Sequence, residues 1–459
     1  MTVTATITPR ASRTSASGPV APLRIPPQVA LGAIGIGAVA VVALWWQDTR
    51  FIHGFGDWLT NAGRITGLLA GYAVVVLLAL MARVPALERG VGTDRLARWH
   101  AMGGRYTVCL AVAHTLLIIW GYAVMAHAGV VAETGSLLTS YADVLMATVA
   151  LGLLVVVGIA SARAARRRLR YETWHFIHLY TYLAIALAFS HQFATGADFI
   201  SNARARWLWS AMYLAVAALL VWFRVIAPVH AALRNQLRVV EVRRENADTV
   251  SVYLTGRDLD RLRAEPGQFF RWRFLTRDMW WAANPYSLSA PPRDDVLRIT
   301  VKISGDHSAA LLKLRPGTRV FAEGPYGAFT AARRRRQKVL LLAGGVGITP
   351  LRALFETLPG GPGDITLIYR ANTAEDLVLR HELDWIAQQR GARVQYLLGP
   401  PRQGSSDHLS AKRLQQVVPG LRQHDVYLCG PEPMMAAAKS ALLQSGVPRR
   451  HIHNESFTF

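Results

Sequence analysis

The chain has 459 residues, 52% of them hydrophobic, and it carries a formal net charge of +22. Such a positive surplus is typical of nucleic-acid binding, but the apolar residues are too numerous and too clustered, so we expect a membrane protein without a nucleic-acid partner. The two cysteines, Cys109 and Cys429, lie in segments of different character. This argues against a structural disulfide and against a cysteine-based metal cluster.

The first half of the chain predicts an all-α bundle of six transmembrane helices. Residues 1–27 are rich in Thr, Ser, Ala and Pro without apolar periodicity, which indicates a disordered tail rather than a cleaved signal peptide. Six apolar stretches long enough to span a bilayer follow within residues 28–228. They are residues 28–46, 64–83, 104–125, 143–161, 174–193 and 207–226.

Arginines in the connections between these stretches predict the orientation. The second connection and the start of the next helix hold Arg83, Arg89, Arg95, Arg98 and Arg105, and the fourth connection holds Arg163, Arg166, Arg167, Arg168 and Arg170. The odd-numbered connections offer only Arg50, Arg64, Arg204 and Arg206. By the positive-inside rule the basic connections face the cytoplasm. We therefore expect a multi-pass cell-membrane protein whose termini and C-terminal half are cytoplasmic.

After Pro228 the composition changes to that of a soluble protein. Residues 236–332 alternate like strands with Gly and Pro between them, which predicts an antiparallel β-barrel. The basic residues 333–337 are expected to form a solvated linker. In residues 338–459 strands alternate with helices, which predicts a doubly wound α/β domain with a parallel sheet.

Histidines recur in the third and fifth apolar stretches. They are His100 and His114 in the third, and His175, His178 and His191 in the fifth. Ionisable side chains are costly inside a bilayer and usually serve a function there, although a single histidine is also compatible with a buried, hydrogen-bonded core residue. Imidazole is a haem-iron ligand, and haem binds between facing helices of a bundle.

The spacing of these histidines predicts two stacked sites. His100 and His114 are roughly 21 Å apart along a helix, and His178 and His191 roughly 20 Å. Because the two helices run in the same direction, His100 faces His178 and His114 faces His191, which suits two six-coordinate irons that transfer electrons. Thirteen residues end about 140° around a helix, so the fifth helix is either overwound or approaches the two sites from different sides.

The segment "NPYSLSAPP" is a candidate flavin motif at a strand end. Tyr286 would cover one face of an isoalloxazine ring, and Ser287 would hydrogen-bond its N5 atom; a plain strand terminus is the alternative. The motif also includes Asn284 and Pro285. Lys302 on the next strand leads into "SGDHS", where small residues including Ser308 and exposed amides would cradle a pyrophosphate.

The segment "LLLAGGVGITP" is a stronger nucleotide signal. An apolar strand runs into Gly344, Gly345 and Gly347, and a helix follows, with Thr349 at its start. Glycines allow close approach of the backbone to a phosphate, and a helix N-terminus favours negative charge. Arg370, at the end of the next strand, is a candidate partner for a 2′-phosphate, which would favour NADPH over NADH.

Two further segments close the nucleotide domain. "LCGPEPMM" places Cys429 and Gly430 at the carboxyl end of a strand, where ligands of such sheets bind. A buried small hydrophobe is the alternative interpretation of Cys429. Phe459, the last residue, would be a displaceable ring that shields a flavin until nicotinamide arrives.

In this combination the chain resembles the ferric reductase and NADPH oxidase superfamily, a six-helix haem membrane domain fused to a ferredoxin-NADP reductase-like module. In that family two helices contribute haem ligands spaced fourteen and thirteen residues apart. The matching positions are His100, His114, His178 and His191, with residues 284–287 as flavin motif, 344–350 as glycine loop, 429–431 as Cys-Gly-Pro and Phe459 as terminal aromatic.

This sequence departs from the family at two positions. The flavin motif has Asn284 where the family has a basic residue, so Lys302 is expected to take more of the phosphate contact. Ile118 stands where the superoxide-producing oxidases carry a second outer histidine, although Arg64, near the outer surface, would still supply a positive charge. The resemblance therefore favours ferric reduction slightly over dedicated superoxide production.

The expected function is a transmembrane oxidoreductase that uses FAD, two b-type haems and NADPH, with NADH as the alternative nucleotide. Its partners would be membrane lipid and a small-molecule acceptor, either a ferric chelate or oxygen, and no partner protein is indicated. One alternative is an electron-transfer subunit that serves a quinone or a partner protein. Another is a haem-free membrane protein with a regulatory nucleotide-binding domain.

Overall fold

The computed structural model describes residues 23–47, 49, 52–166, 168, 169, 171–200, 202–400 and 409–455. Residues 1–22 of the predicted tail lie outside the described residues, and so does Phe459. The flavin-shielding role expected of Phe459 therefore stays a prediction.

The N-terminal part is helical, as predicted. Its helices are α1 (Pro27–Gln47), α2 (Phe55–Met81), α3 (Pro85–Val91), α4 (Thr93–Met125), α5 (Val130–Ser140), α6 (Val144–Ser161), α7 (Arg163–Arg166), α8 (Tyr171–Ala194), α9 (Ala197–Ile200), α10 (Ala203–Val221) and α11 (Ala227–Asn235). A π-helical turn, Trp222–Ile226, joins the last two into one continuous helix.

Among the described residues, five helices are long and apolar enough to cross a membrane: α1, α2, α4, α6 and the continuous Ala203–Asn235. The sixth predicted span corresponds to α8, which has sufficient length at 24 residues. It carries His175, His178, His191 and Gln192, and these polar side chains lower its apolarity. The count of six transmembrane helices therefore stays a prediction.

Small residues allow α2 and α4 to pack closely in opposite directions. A Cβ atom on Gly63 of α2 would lie 2.8 Å from the Ile118 side chain of α4. A Cβ atom on Gly121 would lie 2.9 Å from the backbone nitrogen of Thr60. Small residues at such contacts are typical of membrane helix pairs because they let backbones approach. A second close pair is α6 with α8.

The next region contains two three-stranded antiparallel sheets. Its elements are β1 (Arg238–Asn246), β2 (Thr249–Thr255), β3 (Phe269–Phe274), β4 (Asn284–Ser287), β5 (Leu297–Lys302), α12 (Asp306–Ala310) and β6 (Val320–Tyr326). The strand orders are β1-β2-β5 and β4-β3-β6, and single bridges join Arg238 to Arg319 and Leu288 to Ile299. Both sheets bury one shared core that includes Trp272 and Phe270. Antiparallel pairing is as expected; closure into a barrel stays a prediction.

The C-terminal region is a five-stranded parallel sheet with helices on both faces, as predicted. Its elements are β7 (Val339–Gly344), α13 (Ile348–Thr357), β8 (Ile365–Ala371), α14 (Arg380–Arg390), β9 (Arg393–Leu398), α15 (Ala411–Val417), β10 (Asp425–Cys429), α16 (Glu432–Gln444) and β11 (Ile452–Glu455). The order is β11-β10-β7-β8-β9. Every residue of β7 is buried, as expected of a central strand covered on both faces. The edge strand β11 was not predicted.

The basic segment of residues 333–337 is anchored, which corrects the expectation of a solvated linker. Arg333 donates to the carbonyl oxygens of Gly90 and Val91 in the membrane part, at 3.2 and 3.4 Å. The backbone N–H groups of Arg335 and Arg336 donate to the carboxylate of Asp425 at 2.5 and 2.7 Å. The segment therefore ties the nucleotide domain to its neighbours, because its backbone supplies donors that a buried carboxylate needs.

Asp425 provides a test of this anchoring. Burial alone would raise the pKa of its carboxyl, but the N–H groups of Arg335 and Arg336 and the ring of His451 together lower it. Because the folded pKa is depressed, the stabilisation is fully present above the unfolded value of about 3.9 and is lost as the pH falls through the folded value.

We expect Asp425→Asn to destabilise the nucleotide domain by about 1.5–3 kcal/mol, because it removes a charged, buried acceptor. Thermal unfolding of the full chain in detergent at neutral pH measures the loss. The exposed Asp294→Asn is the matched control and should melt like the wild type. Equal melting of the Asp425 and Asp294 variants would contradict the anchoring role.

Candidate functional site

The histidines of α4 and α8 come together in the two predicted pairs. The ring centres of His100 and His178 are 5.9 Å apart, with 67° between the ring planes. The ring centres of His114 and His191 are 6.4 Å apart, with 63° between the planes. His175, on the same helix, lies outside both pairs. The two pairs therefore stand one above the other between α4 and α8.

Backbone carbonyls of α2 orient both histidines of α4. Nδ1 of His114 lies 2.8 Å from the carbonyl oxygen of Gly63, and Nδ1 of His100 lies 3.2 Å from that of Leu77. A carbonyl oxygen only accepts, so each Nδ1 carries the proton and each Nε2 keeps its lone pair. This second hydrogen bond is how metal-binding histidines are usually fixed.

The α8 histidines are held in different ways. Thr195 donates to the carbonyl oxygen of His191 at 3.1 Å, so Nδ1 of His191, 3.0 Å from the same hydroxyl oxygen, donates to it. Nδ1 of His178 is buried and has no hydrogen-bond partner among the described residues. The His178 ring instead stacks on Trp174, with ring centres 5.2 Å apart and 28° between the planes.

The donor atoms of each pair would suit a metal ion held between two imidazoles. Imidazole nitrogen binds zinc at about 2.0–2.1 Å, and two imidazoles on opposite sides of an ion at similar bond lengths have ring centres roughly 6 Å apart. Both observed separations agree with that value. In the described part of the chain no three His, Cys, Asp or Glu side chains gather into a metal site. A haem iron, which needs only two protein ligands in such a site, suits this donor set.

The regular α-helical structure of α8 decides between the two alternatives raised by the thirteen-residue spacing of His178 and His191. The helix is α-helical throughout Tyr171–Ala194, so it is not overwound. This favours the other alternative, in which His178 and His191 reach their partners from different sides of α8.

The end of the bundle opposite Arg83 contains Arg64, whose charge has a protein partner. Its guanidinium donates to the carboxylate of Asp198 at 2.6 and 3.3 Å and to the side chain of Asn61 at 3.1 Å. Asp198 is almost fully buried. Ile118, nearby, packs on Gly63. The positive charge expected from Arg64 is therefore compensated by a carboxylate.

The candidate flavin motif forms β4, which pairs with β3. Ser287, at one end, is opposite Phe269 and is 5% exposed. Burial raises the pKa of Tyr286 to about 12. At the other end, Nδ2 of Asn284 lies 2.7 Å from Nδ1 of His307. The structure thus brings an imidazole to the position where the resemblance implies a basic residue; the sequence pattern carried no signal for this contact.

Two residues expected at the flavin phosphates are engaged elsewhere. Lys302 forms an ion pair with Asp248 at 2.9 Å. The Ser308 hydroxyl accepts the backbone N–H groups of Ser304 and Gly305 and donates to the carbonyl oxygen of Gly305. Ser308 therefore stabilises its own turn, and the phosphate contacts of both residues stay predictions.

The glycine loop lies at the carboxyl end of β7, as predicted. Gly345 has a φ of +52°, a conformation that suits glycine. A Cβ atom on Gly347 would lie 2.3 Å from the carbonyl oxygen of Cys429, and one on Gly344 would lie 2.2 Å from the sulfur of Met434. The Thr349 hydroxyl donates to the carbonyl oxygen of Val346 at 3.0 Å. Close approach of two strand ends therefore requires these glycines.

Cys429 and Gly430 lie beside this loop, and Arg370 lies on the neighbouring strand. Gly430 is in contact range of Gly344. Cys429 is fully buried, which raises the pKa of its thiol well above the ordinary value. Arg370 is opposite Gly344 in the sheet and donates to the carbonyl oxygen of Gly399 at 3.2 Å. The loop, the cysteine and Arg370 thus share one edge of the sheet.

Sequence reasoning missed Glu455. It ends β11, opposite Cys429, and a Cβ atom on Gly327 would lie 2.9 Å from its Oε1 atom. Burial raises the pKa of its carboxyl well above the ordinary value. Gly327 also lies close to Phe269, the partner of Ser287. Glu455 therefore connects the flavin strand to the nucleotide loop, and only the unpredicted pairing of β11 reveals it.

Two family models match separate parts of the chain. Residues 66–189 match the ferric reductase like transmembrane component, a range with three of the four paired histidines. Residues 341–440 match the oxidoreductase NAD-binding domain, a range that includes the glycine loop, Arg370 and Cys429. The chain joins a ferric-reductase-like transmembrane component to an oxidoreductase NAD-binding domain. The resemblance inferred from the motifs is thereby confirmed.

Relatives match about half of the chain. The ferredoxin reductase component of a 3-ketosteroid-9-alpha-monooxygenase from Mycolicibacterium smegmatis is 32% identical over 48% of this chain and 65% of its own length. A glycine betaine monooxygenase reductase subunit from Chromohalobacter salexigens is 28% identical over 49% of this chain and 64% of its own length. The chain thus spans slightly less than two thirds of these relatives.

Solved structures match either about half of the chain or nearly all of it. The FAD/NAD-binding domain of a nitric oxide dioxygenase from Vibrio cholerae is 25% identical, with a TM-score of 0.40 over 49% of this chain and 98% of that chain. A flavohemoglobin from Malassezia yamatoensis is 16% identical, with a TM-score of 0.44 over 94% of this chain and 98% of that chain.

The NAD-binding domain offers a direct test at Gly347. Gly347→Ala would force the Cys429 carbonyl away, and displacements of about 1 Å at a binding site cost up to 100-fold in function. We expect the Kd for NADPH to rise at least tenfold in binding titrations of the full chain. Gly361→Ala is the control, because its Cβ atom would meet nothing closer than 3.6 Å. An unchanged Kd in Gly347→Ala would contradict the role of the loop.

Proposed function

We propose that the protein is a transmembrane oxidoreductase that passes electrons from cytoplasmic NADPH, through FAD and two b-type haems, to an acceptor across the membrane. The two histidine pairs between α4 and α8 carry this proposal. His100 and His178 would hold one haem, and His114 and His191 the other. The chain's own part is to position and tune these groups.

The inner pair is assigned from the contacts between the membrane part and the flavin region. Arg83, just after α2, donates to the carboxylate of Glu323 at 2.6 Å and to the hydroxyl of Tyr326 at 2.9 Å, both in β6. α4 begins at Thr93, and His100 lies roughly 10 Å along the helix from that end. These contacts support His100 and His178 as the pair nearer the reductase domains.

The proposed entry of electrons lies where the flavin strand meets the nucleotide edge. Ser287, with Tyr286 beside it, would border the flavin, and Cys429 the nicotinamide. The contacts of Glu455 and Gly327 support this arrangement, because they bring the ends of β4 and β10 into one neighbourhood. Residues 344–349 would hold the nucleotide phosphates, and Arg370 would favour NADPH. Phe459 would shield the flavin.

Two contacts at the outer end support a general acceptor. Ile118 cannot hydrogen-bond oxygen, and Asp198 compensates the charge of Arg64. Because the charge of Arg64 is paired in the part of the chain that the structure describes, this arginine would hold an anionic oxygen species only weakly. We therefore infer that a ferric chelate is the favoured acceptor and that superoxide is a secondary product.

A partner protein is the second candidate acceptor. Relatives of the C-terminal half include reductase components or subunits of two monooxygenases and of a stachydrine N-demethylase. Their printed names support a version in which this chain also delivers electrons to another protein. A purified chain that reduces ferric chelate slowly, and only accelerates with a co-purifying protein, would favour this second candidate.

The histidine pairs give the test of the proposed function. We expect His178→Leu and His191→Leu each to lower bound haem to about half, because each removes one axial ligand from one site. His175→Leu, on the same helix but outside both pairs, is the matched control and should keep the full haem content. Haem is measured per chain after purification of the full protein in detergent.

The two variants should also differ in function. His191→Leu would retain rapid NADPH-dependent reduction of its remaining haem, whereas His178→Leu would lose it, because the inner pair would come first in the route. Loss of haem in the His175 variant alone, or equal haem in all three variants, would contradict the assignment. A colourless wild-type protein would favour the haem-free alternative.

A further inference from the structure

A cavity of about 550 Å³ lies at the junction between the membrane part and the nucleotide domain. The end of α3, Gly92 and the first two turns of α4 form one wall, within residues 89–98. Residues 327–335, after β6, and residues 449–455, which include β11, form the other. Arg24 and Pro27, at the start of α1, complete its rim. Its volume is within the about 300–1,000 Å³ of small-molecule sites.

Positive charge dominates the lining of this junction cavity. Eight arginines line it, against two acidic residues among the described residues, Asp94 and Glu455. Arg24 has a carboxylate partner, Glu265 at 3.1 Å. Within the described part of the chain, the other cavity arginines include three without an ion pair: Arg95, Arg98 and Arg449. The cavity therefore concentrates more positive than negative charge among the residues that the structure describes.

Clustered arginines destabilise one another unless an anion separates them. Burial, with repulsion from Arg95 and Arg24, lowers the pKa of Arg333. Burial also lowers the pKa of Arg89, and repulsion from Arg24 adds to the effect. Both shifts mean that the folded protein disfavours the charged forms of Arg89 and Arg333 when no anion lies beside them. A bound anion would reverse that cost.

Apart from Nε2 of His453, which lies 3.5 Å from the carboxylate of Asp425, two buried polar atoms at the cavity lack hydrogen-bond partners among the described residues. They are Nε of Arg89 and Oε2 of Glu455. Buried polar groups are hydrogen-bonded in the great majority of cases, so each such atom requires an explanation. Burial raises the pKa of the Glu455 carboxyl well above its ordinary value, which lowers the cost of placing an anion beside it.

The junction cavity is distinct from the proposed nucleotide phosphate site. In the sheet order β11-β10-β7-β8-β9, the cavity follows the β11 edge, whereas the glycine loop and Arg370 lie at β7 and β8. Strands β10 and β7 separate Arg370 from the β11 wall. Gly327 and Glu455 border both the cavity and the proposed electron entry, but the cavity arginines lie away from residues 344–349 and Arg370, so an anion that they hold would be additional to the nucleotide phosphates.

We propose that the junction cavity binds a phosphate-bearing anion and so bridges the membrane part and the nucleotide domain. Arginine forks match phosphate oxygens two at a time, which makes them suited to this group. Basic pockets at the cytoplasmic ends of membrane helices also accept phospholipid head groups. A lipid head group and a free diphosphate share this chemistry. The proposal goes beyond electron transfer and does not depend on it.

The test is a thermal-shift titration of the delipidated full chain in detergent. The probes are inorganic pyrophosphate and phosphatidylglycerol, with phosphatidylcholine and sodium chloride of equal ionic strength as references. The variant is Arg98→Gln/Arg449→Gln/Arg450→Gln. The matched control is Arg257→Gln/Arg315→Gln/Arg413→Gln, three exposed arginines away from the cavity. Both variants lose the same charge, so salt effects cancel.

We expect the wild type and the control to be stabilised by at least one phosphate probe, with a midpoint concentration at least tenfold lower than in the cavity variant. A charged hydrogen bond is stronger than a neutral one, and a tenfold difference in midpoint corresponds to about 1.4 kcal/mol. If both probes stabilise the protein, a free phosphate group is sufficient for binding in the cavity. If only phosphatidylglycerol stabilises it, the bound anion is a lipid head group.

Three results would overturn the proposal. The first is no response of the wild type to either phosphate probe. The second is an equal response to phosphatidylcholine or chloride, or an equal loss in the control variant. The third concerns NADPH, which should reduce the flavin normally in the cavity variant. If flavin reduction and anion binding are lost together, the arginines belong to the nucleotide site instead.

Discussion

The contact between α2 and α4 is the constraint on which the redox site depends. Two α2 carbonyls, those of Gly63 and Leu77, accept hydrogen bonds from His114 and His100. The carbonyls are fourteen residues apart and so are the histidines, because the helices run in opposite directions at close range. Glycines on α2 allow the two helices to lie this close together, because a Cβ atom on Gly67 would lie 2.5 Å from the His114 ring. One helix pair thus sets the orientation of both α4 histidines.

The end of the bundle that carries Arg83, Gly90 and Val91 positions the reductase domains. Arg83 binds Glu323 and Tyr326 at the flavin strands, and Arg333 binds the carbonyls of Gly90 and Val91. These are partly buried, charged hydrogen bonds, which are stronger than neutral ones. They join residues more than two hundred positions apart in sequence. The chain's own contacts therefore hold the proposed inner pair, His100 and His178, relative to the candidate flavin strand.

Features that depend on local sequence patterns were predicted better than contacts between distant parts of the chain. The pairing of His100 with His178 followed from helix rise and direction, and the glycine loop followed from a strand that runs into small residues. The contacts of Asn284 with His307 and of Lys302 with Asp248 could not be predicted, because they depend on sheet register and on a turn far away in sequence. Glu455 and the cavity arginines needed the placement of β11, a short edge strand with no distinguishing pattern.

The most direct test of the account is an optical spectrum of the detergent-purified full chain, recorded air-oxidised and again after NADPH is added under nitrogen. The account predicts a Soret band of low-spin, bis-histidine haem, about two haems per flavin, and α and β bands that appear on NADPH addition. Admitting ferric chelate or oxygen to the same cuvette would then reoxidise the haems. A flavin spectrum without any haem band would contradict the account, and the four histidines would then be core residues of the bundle.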